Sequence, residues 1–190
     1  MPTKFSPVPR YHTSTNMSDP RYPIGKFQFP DSVSSSEAAA FIDDIAACPA
    51  NLRAAVDGLN EEQLDTPYRD GGWTVRQLVH HVADSHINSY VRFKLGATED
   101  NPRITSYEEQ LWAELADGKT LPISISLDLL ELLHKRWVVF LRSLSEEQLQ
   151  RTFNHPQSGA NSLARNLALY SWHGRHHVAH VTALRQAKGW

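Results

Sequence analysis

Four of the chain's ten histidines lie within Tyr170-Ser-Trp-His173-Gly-Arg-His176-His177-Val-Ala-His180. Three more sit in one earlier stretch, at His80, His81 and His86. Histidines at this density constrain the fold, because an imidazole that leaves water needs a hydrogen-bond partner or a metal. Both stretches carry apolar residues at helical spacing. They read as two helices facing each other across a bundle core, with three imidazoles holding one divalent metal between them.

Composition narrows the setting. At 190 residues the chain can form one domain with a real core. The formal net charge of −2, with acids and bases interspersed, gives no electrostatic case for nucleic acid or an anionic membrane. The single cysteine, Cys48, excludes an intrachain disulfide and suits a reducing cytosol. There is no signal-like apolar run at the start and no membrane-length apolar stretch elsewhere, so a cytoplasmic protein is expected.

Residues 1–33 are proline-rich and without periodicity, and read as an extended arm. Residues 1–21 are taken as a flexible extension and 22–190 as the bundle domain, with Met17 as an alternative start. Ser34-Ser-Ser-Glu37 has capping-box form and opens a first helix bearing Phe41, Ile42, Ile45, Leu52 and Val56. Pro49 should kink or split that helix. Residues 60–73 read as a loop, with Asp70-Gly-Gly-Trp73 as its turn. Thr74-Val-Arg-Gln77 is a second capping box, with Trp73 and Leu78 placed as a hydrophobic staple, and its helix should run to about Leu95. Ser106-Tyr-Glu-Glu109 opens a short element through Leu115, a longer helix covers roughly 126–144, and the last helix starts near Ser162. The segment Leu59-Asn-Glu-Glu-Gln-Leu64 recurs as Leu144-Ser-Glu-Glu-Gln-Leu149, 85 residues later. Each copy follows a long helix and precedes a histidine-bearing one, so two halves would make an all-α four-helix bundle, whose core commonly houses metals. The matched segments read equally well as two similar helix-end turns.

Helical geometry sorts the histidines. On the second helix Val75, Leu78, Val82 and Phe93 define the apolar face. His80 falls opposite it, towards solvent. His81 falls at its edge, in line with Ser85, Asn88 and Arg92, and His86 lies towards the other edge. On the last helix Leu163, Leu167, Tyr170 and Val181 define the face. His173 and His177 stand one turn apart beside it, His176 points away, and His180 lies next to His173 but further out. A lone pair at this spacing is more often surface or packing than ligand. His81 on a separate core-facing edge strengthens the metal reading. Three imidazoles plus water describe a catalytic zinc site, because one position stays open and activates water near neutral pH. Asp84, Asn88 and Arg92 read as base, orienter and anion clamp, or equally as a solvated border. His134 reads as a hydrogen-bonded core histidine, and His155 in a loop as incidental.

Asp65-Thr-Pro-Tyr-Arg-Asp-Gly-Gly-Trp-Thr-Val-Arg-Gln77, followed by His80-His-Val-Ala-Asp-Ser-His-Ile-Asn-Ser-Tyr-Val-Arg-Phe-Lys-Leu95, resembles the YfiT-type branch of the DinB superfamily. So do Tyr22-Pro-Ile-Gly25, Leu133-His-Lys-Arg-Trp137 and the histidine-rich end. The resemblance runs from Tyr22 to Trp190. It implies a four-helix bundle of unusual connectivity, a homodimer, and one zinc or nickel ion per subunit. Its metal-binding histidines fall on His81, His173 and His177. Family members are named as metal-dependent hydrolases, while relatives in the superfamily transfer thiols such as bacillithiol or mycothiol onto electrophiles.

Three functions therefore stand as expectations. The first is a zinc hydrolase with Asp84 or His180 as proton carrier. The second is a thiol S-transferase in which Arg92 holds a carboxylate of the thiol. The third is a metal-stabilised dimeric scaffold without catalysis. The partner expected for either enzyme is a small-molecule substrate, with no nucleic acid and no membrane.

Overall fold

The computed structural model describes residues 19–190. The extension expected over residues 1–21, save its last three positions, and the alternative start at Met17 lie outside them. Four long helices carry the architecture: α1 (Ser35–Val56), α3 (Val75–Thr98), α6 (Ile123–Arg142) and α8 (Leu163–Lys188). Single turns α2 (Glu61–Leu64) and α7 (Glu146–Leu149) precede the histidine-bearing helices. Short helices α4 (Glu109–Ala113) and α5 (Ala116–Thr120) lie between α3 and α6. Strands β1 (Thr152–His155) and β2 (Gly159–Ser162) form a hairpin leading into α8.

Local chemistry sets most of the starts. Ser34 accepts from the Glu37 N–H while the Glu37 carboxylate accepts from the Ser34 N–H, and Thr74 and Gln77 repeat the arrangement at α3. The repeated segments fold alike: Asn60 with Gln63, and Ser145 with Gln148, cap α2 and α7 in the same reciprocal way. Ser106 does not cap α4, whose N-cap is Glu108 without a side-chain cap bond. The hairpin of β1 and β2 was not expected from the sequence, and it delivers Ser162 to cap α8.

In cross-section α1 packs on α8 and α6, and α3 packs on α6 and α8. Helices α1 and α3 are thus diagonal partners, as are α6 and α8, and the chain crosses the bundle twice. The crossings leave α3 and α8 side by side. Two apolar clusters fill the ends: one with Leu52, Leu78, Val82, Leu130 and Val181, the other with Ile45, Phe93, Trp137, Phe153 and Leu167. The histidines of α3, α6 and α8 occupy the layer between them. No helix among the described residues is long and apolar enough to cross a membrane.

Pro49 does not split α1, which runs unbroken from Ser35 to Val56. Proline lacks the N–H that would bond the carbonyl four residues back, a loss of about 3 kcal/mol in an unsupported helix. Here that carbonyl, on Ile45, accepts from His134 Nδ1 on α6 at 2.7 Å. The defect in one helix is satisfied by another.

Helices α1 and α8 approach closely at Gly174, where an added Cβ would lie 2.7 Å from Cys48 Sγ. Gly174→Ala should lower stability by about 1–3 kcal/mol through overpacking, despite a helix-propensity gain of about 1 kcal/mol. Cys48→Ala in the same chain should recover part of the loss. Urea unfolding measures both, and a Gly174→Ala protein as stable as the parent would contradict the close approach.

His134 adds a pH dependence. Burial outweighs the bond to the Ile45 carbonyl and takes its pKa from 6.5 to about 4. As pH falls below 6.5 the unfolded ring takes up a proton before the folded one does. Its stabilisation is therefore complete above pH 6.5 and lost as pH falls towards 4, by up to roughly 3 kcal/mol. Urea midpoints measured across this window should fall less steeply in His134→Gln than in the parent chain.

Candidate metal centre

Helix α3 contributes His81 and α8 contributes His173 and His177, and one ring nitrogen from each lies within 4.8 Å of the others. The Nε2 atoms of His173 and His177 are 3.2 Å apart. Two nitrogens bound to one tetrahedral ion at about 2.0–2.1 Å stand about 3.3 Å from each other. Two rings on successive turns of α8 are therefore already at ligand spacing, and His81 faces both, at ring-centroid distances of 5.5 and 4.9 Å. Burial drives the pKa of His81 down to about 4, and those of His173 and His177 well below the ordinary value. A neutral imidazole is the form a metal needs. The donor set thus fits a divalent ion that favours nitrogen, such as zinc or nickel.

The surroundings hold the rings in place. Gly71, at φ +63°, makes the turn that folds Trp73 back so that Tyr68 N–H bonds the Trp73 carbonyl at 3.0 Å. The Trp73 ring lies 4.5 Å from His81, and its Nε1 donates to Gln110 at 3.0 Å. Trp73 thus braces His81. Ser85 Oγ lies 3.2 Å from Tyr170 Oη and 3.4 Å from His173 Nε2.

A cavity of about 280 Å³ opens in front of the three rings. Tyr68, Arg69, Trp73 and Trp172 form much of its wall, and Arg21 and Tyr22 reach it from the N-terminal segment. His176 and His180 add a second imidazole pair to the wall, their Nε2 atoms 3.1 Å apart. A larger cavity of about 510 Å³ between α1 and α6 is walled by Pro49, Arg53, Glu131, His134, Lys135 and Val138, and none of His81, His173 and His177 lines it.

Two expectations are corrected. His80 does not face solvent: it is buried, with Nδ1 bonded to Ser126 Oγ at 2.7 Å and Nε2 to the Leu121 carbonyl at 3.1 Å. His176 does not point outward: it is buried under Trp172, stacked at 4.2 Å, with Tyr22 beyond. Each helix is covered on a second side, α3 by the junction of α5 and α6, and α8 by the segment before α1. His180 stands on the cavity wall against Tyr68, its pKa lowered to about 3 by burial.

Asp84, Asn88 and Arg92 are not among the residues that wall the cavity. Asn88 Nδ2 donates to the Asp84 carbonyl at 2.8 Å, and Arg92 reaches towards the Thr105 carbonyl at 3.5 Å. Burial raises the Asp84 carboxyl to about 6. Sequence reasoning places Ser85 in line with His81 without giving it a role, and passes over Tyr68 and Arg69. Ser85 had a signal, one turn after His81 on the same face. Tyr68 and Arg69 come from a turn, where no periodicity marks the side that faces a site.

Comparison with known proteins identifies the chain's relatives. The family model described as the DinB superfamily matches residues 44–181. A Bacillus cereus protein named "Putative metal-dependent hydrolase" is 54% identical over 174 residues, covering 92% of this chain and 100% of the relative. A Bacillus mycoides protein of the same description is 53% identical over the same length. The structure of YfiT from Bacillus subtilis, described as a "probable metal-dependent hydrolase with an unusual four-helix bundle topology", superposes with a TM-score of 0.88 at 49% identity. It covers 90% of this chain and 98% of that one. The four-helix bundle protein TT2238, 18% identical with a TM-score of 0.51, shares the fold alone. The chain belongs to the DinB superfamily.

Proposed function

We propose that the protein is a metal-dependent hydrolase acting on a small molecule, with one zinc or nickel ion per subunit held by His81, His173 and His177. The observation that carries this reading is three imidazoles from two helices converging within 4.8 Å, two of them 3.2 Å apart, beside a cavity of about 280 Å³. Bound there with only three protein ligands, the ion would lower the pKa of water to about 7 and polarise a carbonyl or related group.

The chain's own residues supply the rest. Tyr68, Trp73 and Trp172 offer flat walls for an apolar substrate body. Arg69 on the wall offers a cation to an anionic group of the substrate, whereas Arg21 is paired with Asp19 at 2.8 Å. His180, 3.1 Å from His176, is placed to carry a proton between the cavity and its mouth. Asp84, Asn88 and Arg92 lie off the cavity walls, and no part in the reaction is assigned to them. Cys48 is buried and is not a nucleophile in this scheme, and its free thiol accords with a cytoplasmic setting.

We also propose a homodimer formed through α6. Ile125, Leu129, Leu132 and Val139 lie exposed along one face of that helix, interrupted only by Arg136. Apolar side chains in such a stripe gain by leaving water.

Elemental analysis should find close to one metal per chain in the parent protein and little in His81→Ala, His173→Ala or His177→Ala. Metal-loaded and chelator-treated protein should then be assayed on carbonyl substrates, with and without a low-molecular-weight thiol. Metal-dependent turnover in water alone is expected, whereas turnover only with thiol would replace hydrolysis by thiol transfer. Sedimentation at micromolar concentration should show a dimer that Leu132→Glu with Val139→Glu converts to monomer, and a monomeric parent would contradict the α6 interface.

A further inference from the structure

Behind His173 a file of imidazoles crosses the bundle. His173 Nδ1 is 3.1 Å from His86 Nε2, His86 Nδ1 is 2.8 Å from His134 Nε2, and His134 Nδ1 is 2.7 Å from the Ile45 carbonyl oxygen. The far end sets the direction of every bond. A carbonyl only accepts, so His134 carries its proton on Nδ1 and presents a lone pair at Nε2. His86 must then donate through Nδ1, which leaves its Nε2 to accept from His173 Nδ1–H. His173 is left with a lone pair on Nε2, the atom that lies 3.2 Å from His177 Nε2. The Ile45 carbonyl is open to His134 because Pro49, four residues on, has no N–H to offer it.

We infer that Pro49, His134 and His86 are positioning residues for the metal site: they fix His173 as the Nδ1–H tautomer, with Nε2 free for an ion. This inference rests on the metal-site reading above. Metal-bound histidines generally donate their second N–H to a fixed acceptor, which sets ring orientation and basicity. Here the acceptor is another histidine, and its own state is set two bonds further away, by a proline in α1. His177 has no comparable anchor, since its Nδ1 lacks a hydrogen-bond partner among the described residues.

The file also decides the standing of a second cluster. One atom each from Cys48, His86 and His134 lies within 4.8 Å of the others, a spacing that could hold an ion. Ligation there through His86 Nδ1 would move that ring's proton to Nε2. His86 Nε2 would then donate to His173 Nδ1, putting the His173 proton on Nε2 and removing His173 from the first site. With neutral rings, ligation through His86 Nδ1 and a metal on His173 Nε2 exclude each other, and the bond from His134 to the Ile45 carbonyl favours the second.

The test reads tautomers before metal. In the metal-free, imidazole-¹⁵N-labelled parent, long-range ¹H–¹⁵N correlations should report His134, His86 and His173 all as Nδ1–H. An Nε2–H tautomer at His86 or His173 would overturn the inference. Metal affinity is then measured by chelator competition. His86→Leu fills the space without an acceptor and should lose about 10–100-fold. His86→Gln, whose side-chain carbonyl can accept from His173 Nδ1–H, should stay within a few-fold of the parent. Equal affinity in the two variants would overturn the positioning role. Cys48→Ala should keep one metal per chain. A second metal in the parent, or a sulfur-to-metal charge-transfer band with cobalt, would overturn the exclusion of the second cluster. The stated tautomers in a parent that binds no metal would instead sink the metal-site reading, and the positioning role with it.

Discussion

An imidazole taken out of water must stay neutral and wants partners for its nitrogens, and this bundle buries seven histidines, with His173 half-buried among them. Such a layer is stable only between firm apolar ends. The clusters around Leu78 and Val181 on one side, and around Phe93 and Leu167 on the other, supply them. The partners are then divided. His80 and His134 bond to backbone carbonyls, of Leu121 and Ile45, and His86 joins His134 to His173. His176 and His180 bond to each other on the cavity wall. His81, His173 and His177 are left facing one another, the arrangement a single cation resolves.

Connectivity is what makes this division available. By crossing the diagonal between α1 and α3, and again between α6 and α8, the chain sets its two histidine-bearing helices side by side. Each is entered through the same device, a one-turn helix closed by a reciprocal cap, α2 before α3 and α7 before α8. The hairpin of β1 and β2 adds a fixed lead into α8, so that helix begins at a defined residue, Ser162. Rotation of α3 and α8 about their axes is limited by these entries and by the Gly174–Cys48 contact. Side chains one turn apart on α8 therefore meet His81 with little freedom to miss.

Much of this was legible in the sequence, where the determining interactions are local. Ser34 and Thr74 announce their helices because a cap and its partner lie three residues apart. The four-residue spacing of His173 and His177, and the placing of His81 at the edge of an apolar stripe, follow from helical geometry alone. The misreadings concern contacts made across the fold. His80 and His176 were assigned to solvent because a single apolar stripe implies one buried side, while α3 and α8 are covered on two. Pro49 looked like a helix breaker because its compensation, His134, stands 85 positions away. The hairpin hid in Thr152-Phe-Asn-His155 and Gly159-Ala-Asn-Ser162, too short and polar for an alternation to show.

The central claim is that one ion sits among His81, His173 and His177 and nowhere else in the histidine layer. X-ray absorption at the metal edge of the loaded parent protein tests it most directly. Three imidazole nitrogens at about 2.0–2.1 Å, with no sulfur in the ligand shell, are predicted. A sulfur scatterer near 2.3 Å, which only Cys48 or a methionine could supply, or fewer than three imidazoles, would contradict it.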